Sequence, residues 1–449
     1  MADEQTWNAA RLIPTSGING AEEQERRATS ALLAVMEAVR EFSRSLLGPL
    51  GAPAGHVETY IEVPFDLPDG RRIYPDGLIR VKRASKEWTA LVEVKTGANT
   101  LGPDQLEQYL DVARDRGYDY LITISNELPA AAGSHPTVVD RRKLRKVTMH
   151  HYSWTEILSH AVLQRQFRGV ADPDQSWILG ELIRYLEHPK SGAMEFDDMG
   201  PSWVPVREAV STGTLRSSDK TAVDVALRFD ALLRFACLRL GRRLGTEVVP
   251  VSTRAESQDP TLRTNALAHQ LIEEGVLSGE IRIPNAISPM RVVADLRASK
   301  VTCSFDIDAP RTGRALTRIN WLLRQLKAAP DSTRVEAFAF RSRTAMAELL
   351  RDAREAPAKL VGEPGKDLKS FTVARTFTMG SKRGAGRGGF IDSVLDAVET
   401  SYEELGQVLK PWAAAPPRFR DQDEVEVDPS VSKSLVSTAM SSVDESSAP

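Results

Sequence analysis

Tyr74-Pro75-Asp76-Gly77, Leu91-Val92-Glu93-Val94-Lys95-Thr96-Gly97 and Gln105-Leu106-Glu107-Gln108-Tyr109 are the runs on which the reading of this chain turns. The first two lie in extended, β-branched stretches, Arg72 to Lys82 and Trp88 to Lys95, which Ala84-Ser85 joins as a hairpin turn. A hairpin closed symmetrically on that turn pairs Arg83 with Lys86 and carries the pairing back until Asp76 faces Glu93. Directly opposed residues have Cβ atoms ~4.5 to 5.5 Å apart, close enough for two carboxylates to share one divalent cation. Strand alternation puts Glu93 and Lys95 on one face and Val92 and Val94 on the other, so an ammonium group joins the two acids.

Outward from the hairpin, Glu58 to Phe65 supplies a third strand of an antiparallel meander, after the turn-forming Leu67-Pro68-Asp69-Gly70 is allowed for. Ala21 to Leu47 has apolar residues at helical spacing (Leu32, Val35, Met36, Val39, Phe42, Leu46), with Asn19 as its expected cap and Gly48-Pro49 as its stop. Pro103 to Arg116 predicts a helix ended by Gly117, and Tyr120 to Ser125 a short buried strand, so strand, helix and strand make a right-handed parallel crossover. A further strand at Lys146 to Tyr152 and helices at Trp154 to Phe167 and Gln175 to Leu186 complete a first domain, residues 1–200.

Residues 201–218, with Pro201, Pro205 and Gly213, read as a linker to a second, α+β domain over 219–413. There a helix is expected at Asp219 to Leu244, strands at Gly279 to Pro284, Met290 to Leu296, Val301 to Ile307, Arg334 to Phe340 and Ser370 to Met379, and helices at Arg314 to Lys327, Thr344 to Arg354 and Gly389 to Val408. Arg-Ala-Ser-Lys recurs at hairpin turns in both halves (Arg83 to Lys86, Arg297 to Lys300), which raises a degenerate internal duplication as one option. Residues 414–449 are rich in Pro, Asp, Glu and Ser and read as a disordered acidic tail.

Two acids and a lysine on one face suit metal-assisted phosphodiester hydrolysis, and oxygen-only donors favour Mg²⁺ or Mn²⁺ over zinc. Pro75-Asp76 followed by Glu93-Val94-Lys95 resembles the signature of the PD-(D/E)XK nuclease superfamily, and Gln105 with Tyr109 resembles the QxxxY motif of its RecB-type branch. The resemblance covers about residues 15 to 155. It implies a restriction-endonuclease-like mixed sheet flanked by helices, with Asp76 and Glu93 as metal ligands, Lys95 as the catalytic lysine, and Gln105 and Tyr109 near the substrate phosphate or the lysine. It also implies a further acid from the first helix, for which Glu25 is favoured over Glu22 and Glu23. The expected activity is a Mg²⁺- or Mn²⁺-dependent nuclease acting on DNA in repair, processing or defence; the alternative is a catalytically silent module that binds nucleic acid or a protein.

The length of 449 residues calls for more than one hydrophobic core, and 41% apolar with 27% charged residues excludes wholesale disorder. A net charge of −3 excludes a binder that works by whole-molecule positive charge, so any polyanion site must be local. Candidates are Arg142, Lys143 and Arg145 in a basic run, and Lys382, Arg383 and Arg387 in a glycine-rich loop before a helix; a solvated loop is the competing reading of each. Arg311, Arg314 and Arg318 at helical spacing read as a solvated stripe, and His150 and His151 as structural residues on opposite faces. Cys237 and Cys303, with no CxxC, exclude zinc knuckles and a disulfide framework. Met1 to Pro14 has no apolar core and no run of ~18 apolar residues occurs, so a cytoplasmic protein is expected. A homodimer is an expected option, and the lack of a GxxxxGK[ST] loop assigns any ATP-driven translocation to a separate ATPase or helicase partner.

Overall fold

The structure, a computed structural model, describes residues 8–10, 12, 21–67, 69–129, 134–342, 344–362 and 367–414, with the side chains of 8, 9, 21 and 22 excepted. The expected cap Asn19 and the tail beyond 414 lie outside these residues. The chain divides into two units, Met1–Pro411 and Trp412–Pro449, and all that follows concerns the first.

Its elements begin with β1 (Asn8–Ala9), α1 (Ala21–Ala38), α2 (Arg40–Leu47), β2 (His56–Ile61), β3 (Phe65–Asp66), β4 (Arg72–Ile73), β5 (Gly77–Arg83) and β6 (Lys86–Val94). Then come α3 (Pro103–Arg116), β7 (Tyr120–Ser125), β8 (Thr148–Ser153), α4 (Trp154–Leu163) and α5 (Pro173–Glu187). They form a mixed α/β layer in which a six-stranded sheet of order β1-β2-β5-β6-β7-β8 is flanked by helices. The β2-β5-β6 meander is antiparallel and β6-β7-β8 is parallel, as the strand-helix-strand order requires. Alternation splits the core in two. Val92, Val94, Ile122 and Ile124 pack with residues of α1, α2, α4 and α5, whereas Leu78, Leu91 and Leu121 pack with Leu106, Tyr109 and Leu110 of α3.

Local chemistry sets the boundaries. Pro103 occupies the first turn of α3, and Gly117 closes it in the left-handed region at φ 71°. Ser153 and Glu156 form a reciprocal capping box on α4. The long first helix is two helices, because Val39 leaves the helical region at φ −111°, ψ 94°. The strand expected from Arg72 is also interrupted: Arg72–Ile73 pairs with Phe65–Asp66 in a separate ribbon, and Tyr74-Pro75-Asp76 runs between it and β5.

The second half contains α6 (Trp203–Thr212), α7 (Lys220–Leu244), β9 (Val249–Pro250), α8 (Arg254–Gln258), α9 (Pro260–Glu274), β10 (Val276–Arg282), β11 (Met290–Asp295) and β12 (Lys300–Asp308). It ends with α10 (Ala315–Gln325), β13 (Arg334–Ala339), β14 (Ala345–Leu349), α11 (Leu350–Glu355), β15 (Leu368–Thr378) and α12 (Phe390–Ser401). Its seven-stranded sheet, β14-β13-β15-β12-β11-β10-β9, is antiparallel throughout and shares one core from Met199 to Leu409. Cys237 and Cys303 are free thiols inside that core.

Several expectations change. The 201–218 segment carries α6, whose Trp203, Val206 and Val210 are buried, with Trp203 stacked on Phe390. Thr344 to Arg354, expected as a helix, begins as strand β14 because pairing with β13 outweighs the helix preference of its Ala, Met, Glu and Leu residues. α9 went unread in the sequence; it is capped by Asp259 and packs Leu267 and Leu271 inward. Arg318 is no part of a solvated stripe: it is 6% exposed, with its guanidinium donating to the carbonyls of Gly313 (2.9 Å) and Leu368 (2.8 Å). The duplication also lacks support. β6 and β7 are direct parallel neighbours, whereas β15 separates β12 from β13. The shared tetrapeptide even turns differently, with positive φ at its second residue in one hairpin (Ala84, 51°) and its third in the other (Ser299, 52°). Among the described residues no helix is long and apolar enough to cross a membrane.

Gly77 joins the Pro75-Asp76 segment to the core. A Cβ there would stand 2.6 Å from Leu33 Cδ1 and 3.3 Å from Val92 Cβ, so glycine lets α1 close onto the start of β5. Gly77→Ala should therefore lower stability by about 1 to 3 kcal/mol through overpacking, read as a reduced urea midpoint at unchanged m-value.

Candidate active site

The β5-β6 pairing runs from Arg83 opposite Lys86 to Gly77 opposite Val92, the register expected from the turn. Asp76 sits one residue before this ladder. Its backbone carbonyl accepts from Glu62 N (3.3 Å), and its Oδ2 accepts from Val94 N (2.7 Å), which carries the carboxylate across the end of β6 toward Glu93. Lys95 is fixed through its backbone, with its N–H donating to Ile124 O (2.7 Å) and its carbonyl accepting from Trp154 Nε1 (2.9 Å). The Lys95 ammonium then lies 2.7 Å from Glu93 Oε1 and 3.4 Å from Glu25 Oε2.

Glu93 is 1% exposed, and its Oε2 is buried with no hydrogen-bond partner. Burial, and after it the neighbouring Asp76 charge, push the Glu93 carboxyl up to about 8. The Asp76 carboxyl is also raised, chiefly by burial, although the Val94 amide and Lys95 oppose the shift. For Lys95, burial works against the charged form, but Glu93, Asp76 and Glu25 outweigh it and its pKa is raised. Near neutral pH the site therefore combines an ammonium with an acid pair that resists carrying two negative charges. A buried, unpartnered carboxylate oxygen beside a second carboxylate is a fit for a hard divalent cation, since both donors are oxygen.

The other residues singled out by sequence divide clearly. Gln105 Nε2 donates to the Tyr109 hydroxyl (3.0 Å), which donates to Tyr74 O (3.3 Å), so the pair braces the segment leading into Asp76. Burial, followed by the nearby Glu93 charge, holds the Tyr109 hydroxyl well above its usual range. Glu25 reaches Lys95, Asn99 Nδ2 (2.6 Å) and Thr96 N (3.4 Å), while Glu23 pairs with Arg27 instead. Glu25, expected as a third ligand, pairs with the Lys95 ammonium, and among the described residues no three His, Cys, Asp or Glu side chains gather as a ligand set.

Arg142 pairs with Asp140 (2.9 Å) and Lys143 with Asp111 (2.7 Å), whereas Arg145 is exposed. In the glycine-rich loop Lys382 Nζ donates to Arg387 O (3.1 Å), Arg383 pairs with Asp198 (3.4 Å), and Gly386 N donates to Asp392 Oδ2 (2.5 Å). Asp392, in the first turn of α12, thus folds back onto the glycine-rich loop.

Two features were missed in the sequence. Asn99 and Asn126 shape the rim: Asn126 Nδ2 donates to Gly97 O (2.9 Å) and Gly192 O (2.8 Å), tying the loop after β6 to the turn after α5. A polar row also crosses the sheet, because the parallel register sets Thr123 beside Glu93 and His151 beside Thr123. Thr123 Oγ1 bonds His151 Nδ1 (2.8 Å) and His135 Nε2 (2.7 Å), and burial drives these rings down to about 3 and about 4, leaving them neutral. His150 lies on the opposite face, packed on Tyr152 at 4.5 Å between ring centroids.

Because the Glu93 carboxyl is raised on folding, its contribution to stability is complete below its ordinary pKa and is lost as pH rises toward about 8. Glu93→Gln removes this dependence. In chelator, the variant should melt above the parent at about pH 8.5, and the two should converge near about pH 5; calorimetry across that range checks it.

No family model, curated protein or solved structure matches this chain.

Proposed function

We propose that this chain is a Mg²⁺- or Mn²⁺-dependent nuclease that hydrolyses phosphodiester bonds in DNA, with the site at the end of β5 and β6. The observation that carries the reading is the unpartnered, buried Glu93 Oε2 beside Asp76, with Lys95 Nζ 2.7 Å from the other Glu93 oxygen. Burial raises both carboxyls and the Asp76 charge raises Glu93 further, and a shared cation would offset that repulsion in place of the proton the pair otherwise keeps.

In this reading Asp76 and Glu93 hold the cation, which when bound supplies Lewis-acid stabilisation of charge on the phosphate. Lys95, kept protonated by its acidic neighbours, acts as a donor that positions the attacking water or a phosphate oxygen. Glu25, itself held by Asn99 Nδ2, pairs with Lys95, and Gln105 with Tyr109 keeps the Tyr74–Asp76 segment in place. The setting in this reading is cytoplasmic DNA repair, processing or defence, with the chain as a homodimer and a separate ATPase or helicase for any coupled translocation.

The Lys95 ammonium bridges Glu93 and Glu25 as a purely structural ion pair would, which favours a second reading, a silent relative that binds nucleic acid without cutting it. Cleavage decides between them. With Mg²⁺ or Mn²⁺ the parent should cut linear, circular or single-stranded DNA, and Asp76→Asn, Glu93→Gln and Lys95→Ala should each lose about a thousandfold or more in rate while remaining folded. A parent that binds DNA but leaves every form intact sinks the nuclease reading.

Cation binding must also displace the proton that Glu93 retains below about pH 8. The affinity for Mn²⁺ should rise with pH up to about 8 and level off above it, with proton release on binding; calorimetry in buffers of different ionisation enthalpy reads both. An affinity that falls as pH rises would overturn this assignment.

A further inference from the structure

At the other end of β5, roughly 20 Å from Asp76 at strand spacing, α2 and the turn that follows it enclose a cavity of about 400 Å³. Every charged residue lining it is an arginine: Arg40, Arg44 and Arg83. Among the described residues none of these three guanidinium groups has a hydrogen bond or an ion pair, although Arg40 and Arg44 lie one turn apart on the same helix and repel each other.

The neighbouring carboxylates are engaged elsewhere. Glu37 accepts from Thr59 N (2.9 Å) and Thr59 Oγ1 (2.8 Å), and Glu41 from Ala171 N (3.2 Å). Glu58 pairs with Lys82 (3.1 Å), and Glu87 with Arg80 (3.3 Å). No carboxylate lines the cavity, so its three exposed arginines present positive charge to a ligand, on a chain whose net charge is −3.

The cavity is also shaped. A Cβ on Gly55 would stand 2.1 Å from Lys82 O, so only glycine lets this turn close on β5. Gly51 N–H donates to Gly48 O (3.0 Å) and Ala52 N–H to Leu47 O (3.2 Å), which folds the wall over the end of α2. Ala52, Pro53 and Ala54 give it accessible apolar lining beside the arginines, whereas Leu47, Val57 and Val81 are core residues only 2 to 7% exposed.

We propose that this cavity binds a small phosphorylated ligand with a flat apolar body, a nucleotide, with the phosphates on Arg40, Arg44 and Arg83 and the base against the apolar lining. Guanidinium groups match phosphate oxygens in paired hydrogen bonds, and the volume is within the range of small-ligand sites. The site is remote from Asp76 and Glu93 and stands whether or not the chain cuts DNA.

The test is calorimetric titration of the full chain, in chelator, with ADP, inorganic pyrophosphate and a short DNA duplex. Saturable ADP binding at one site, tighter than pyrophosphate and weakened roughly tenfold or more by Arg44→Gln and by Arg83→Gln, is the expected result. Glu93→Gln should leave it unchanged, which separates this site from the carboxylate pair. Circular dichroism confirms that each variant is folded, and a variant that is not folded is replaced by Arg40→Gln. ADP binding that ignores the arginine substitutions, equal binding of pyrophosphate, or binding of the duplex alone would each overturn the assignment.

Discussion

Two carboxyl groups that would repel each other in water are held together where water scarcely reaches, and the end of the first sheet is organised around the cost of doing so. Val94 N–H holds Asp76, the Lys95 ammonium holds Glu93, and Glu25 holds Lys95 from the far side. None of these contacts satisfies Glu93 Oε2. With no donor near it, that oxygen is satisfied only by a proton shared with Asp76 or by a cation, and burial forbids the pair two bare negative charges. The sheet supplies the rigidity this needs: β6 is central, paired antiparallel to β5 and parallel to β7, and both its faces are packed.

Much of this was legible in the residues because short-range rules coincided with the long-range result. Ala84-Ser85 set the hairpin register, alternation set the face of Glu93 and Lys95, and Pro103 and Gly117 marked both ends of α3. The approach to Asp76 was legible only in part. The extended reading of Arg72 to Lys82 treated as one strand what is a ribbon, a bend and a strand, and the Asp76 carboxylate owes its position to a side-chain bond with the Val94 amide rather than to a cross-strand pair.

What the residues did not reveal was mostly decided by partners distant in sequence. Ala345 to Leu349 is built of helix formers yet pairs with β13. Arg318 has the spacing of a surface stripe yet is drawn inward by the Leu368 carbonyl. Glu25 was favoured among the glutamates of α1, but what it meets was not legible: the packing of α1 against the loop after β6 brings it to Lys95 and Asn99. The arginine cavity likewise depends on where four carboxylates turn, which no local pattern records.

The order of strands in the second sheet has a consequence for how the chain is made. β15, Leu368–Thr378, lies between β12 and β13 yet is the last strand of that sheet in the sequence. During synthesis from the N-terminus, the β9 to β12 meander and the β13-β14 hairpin emerge first, each with an open edge that only β15 can cover. The half-built sheet thus exposes two pairing surfaces on the ribosome until about residue 378 is available, the interval in which a chaperone, or misplaced pairing with another nascent chain, would compete for them.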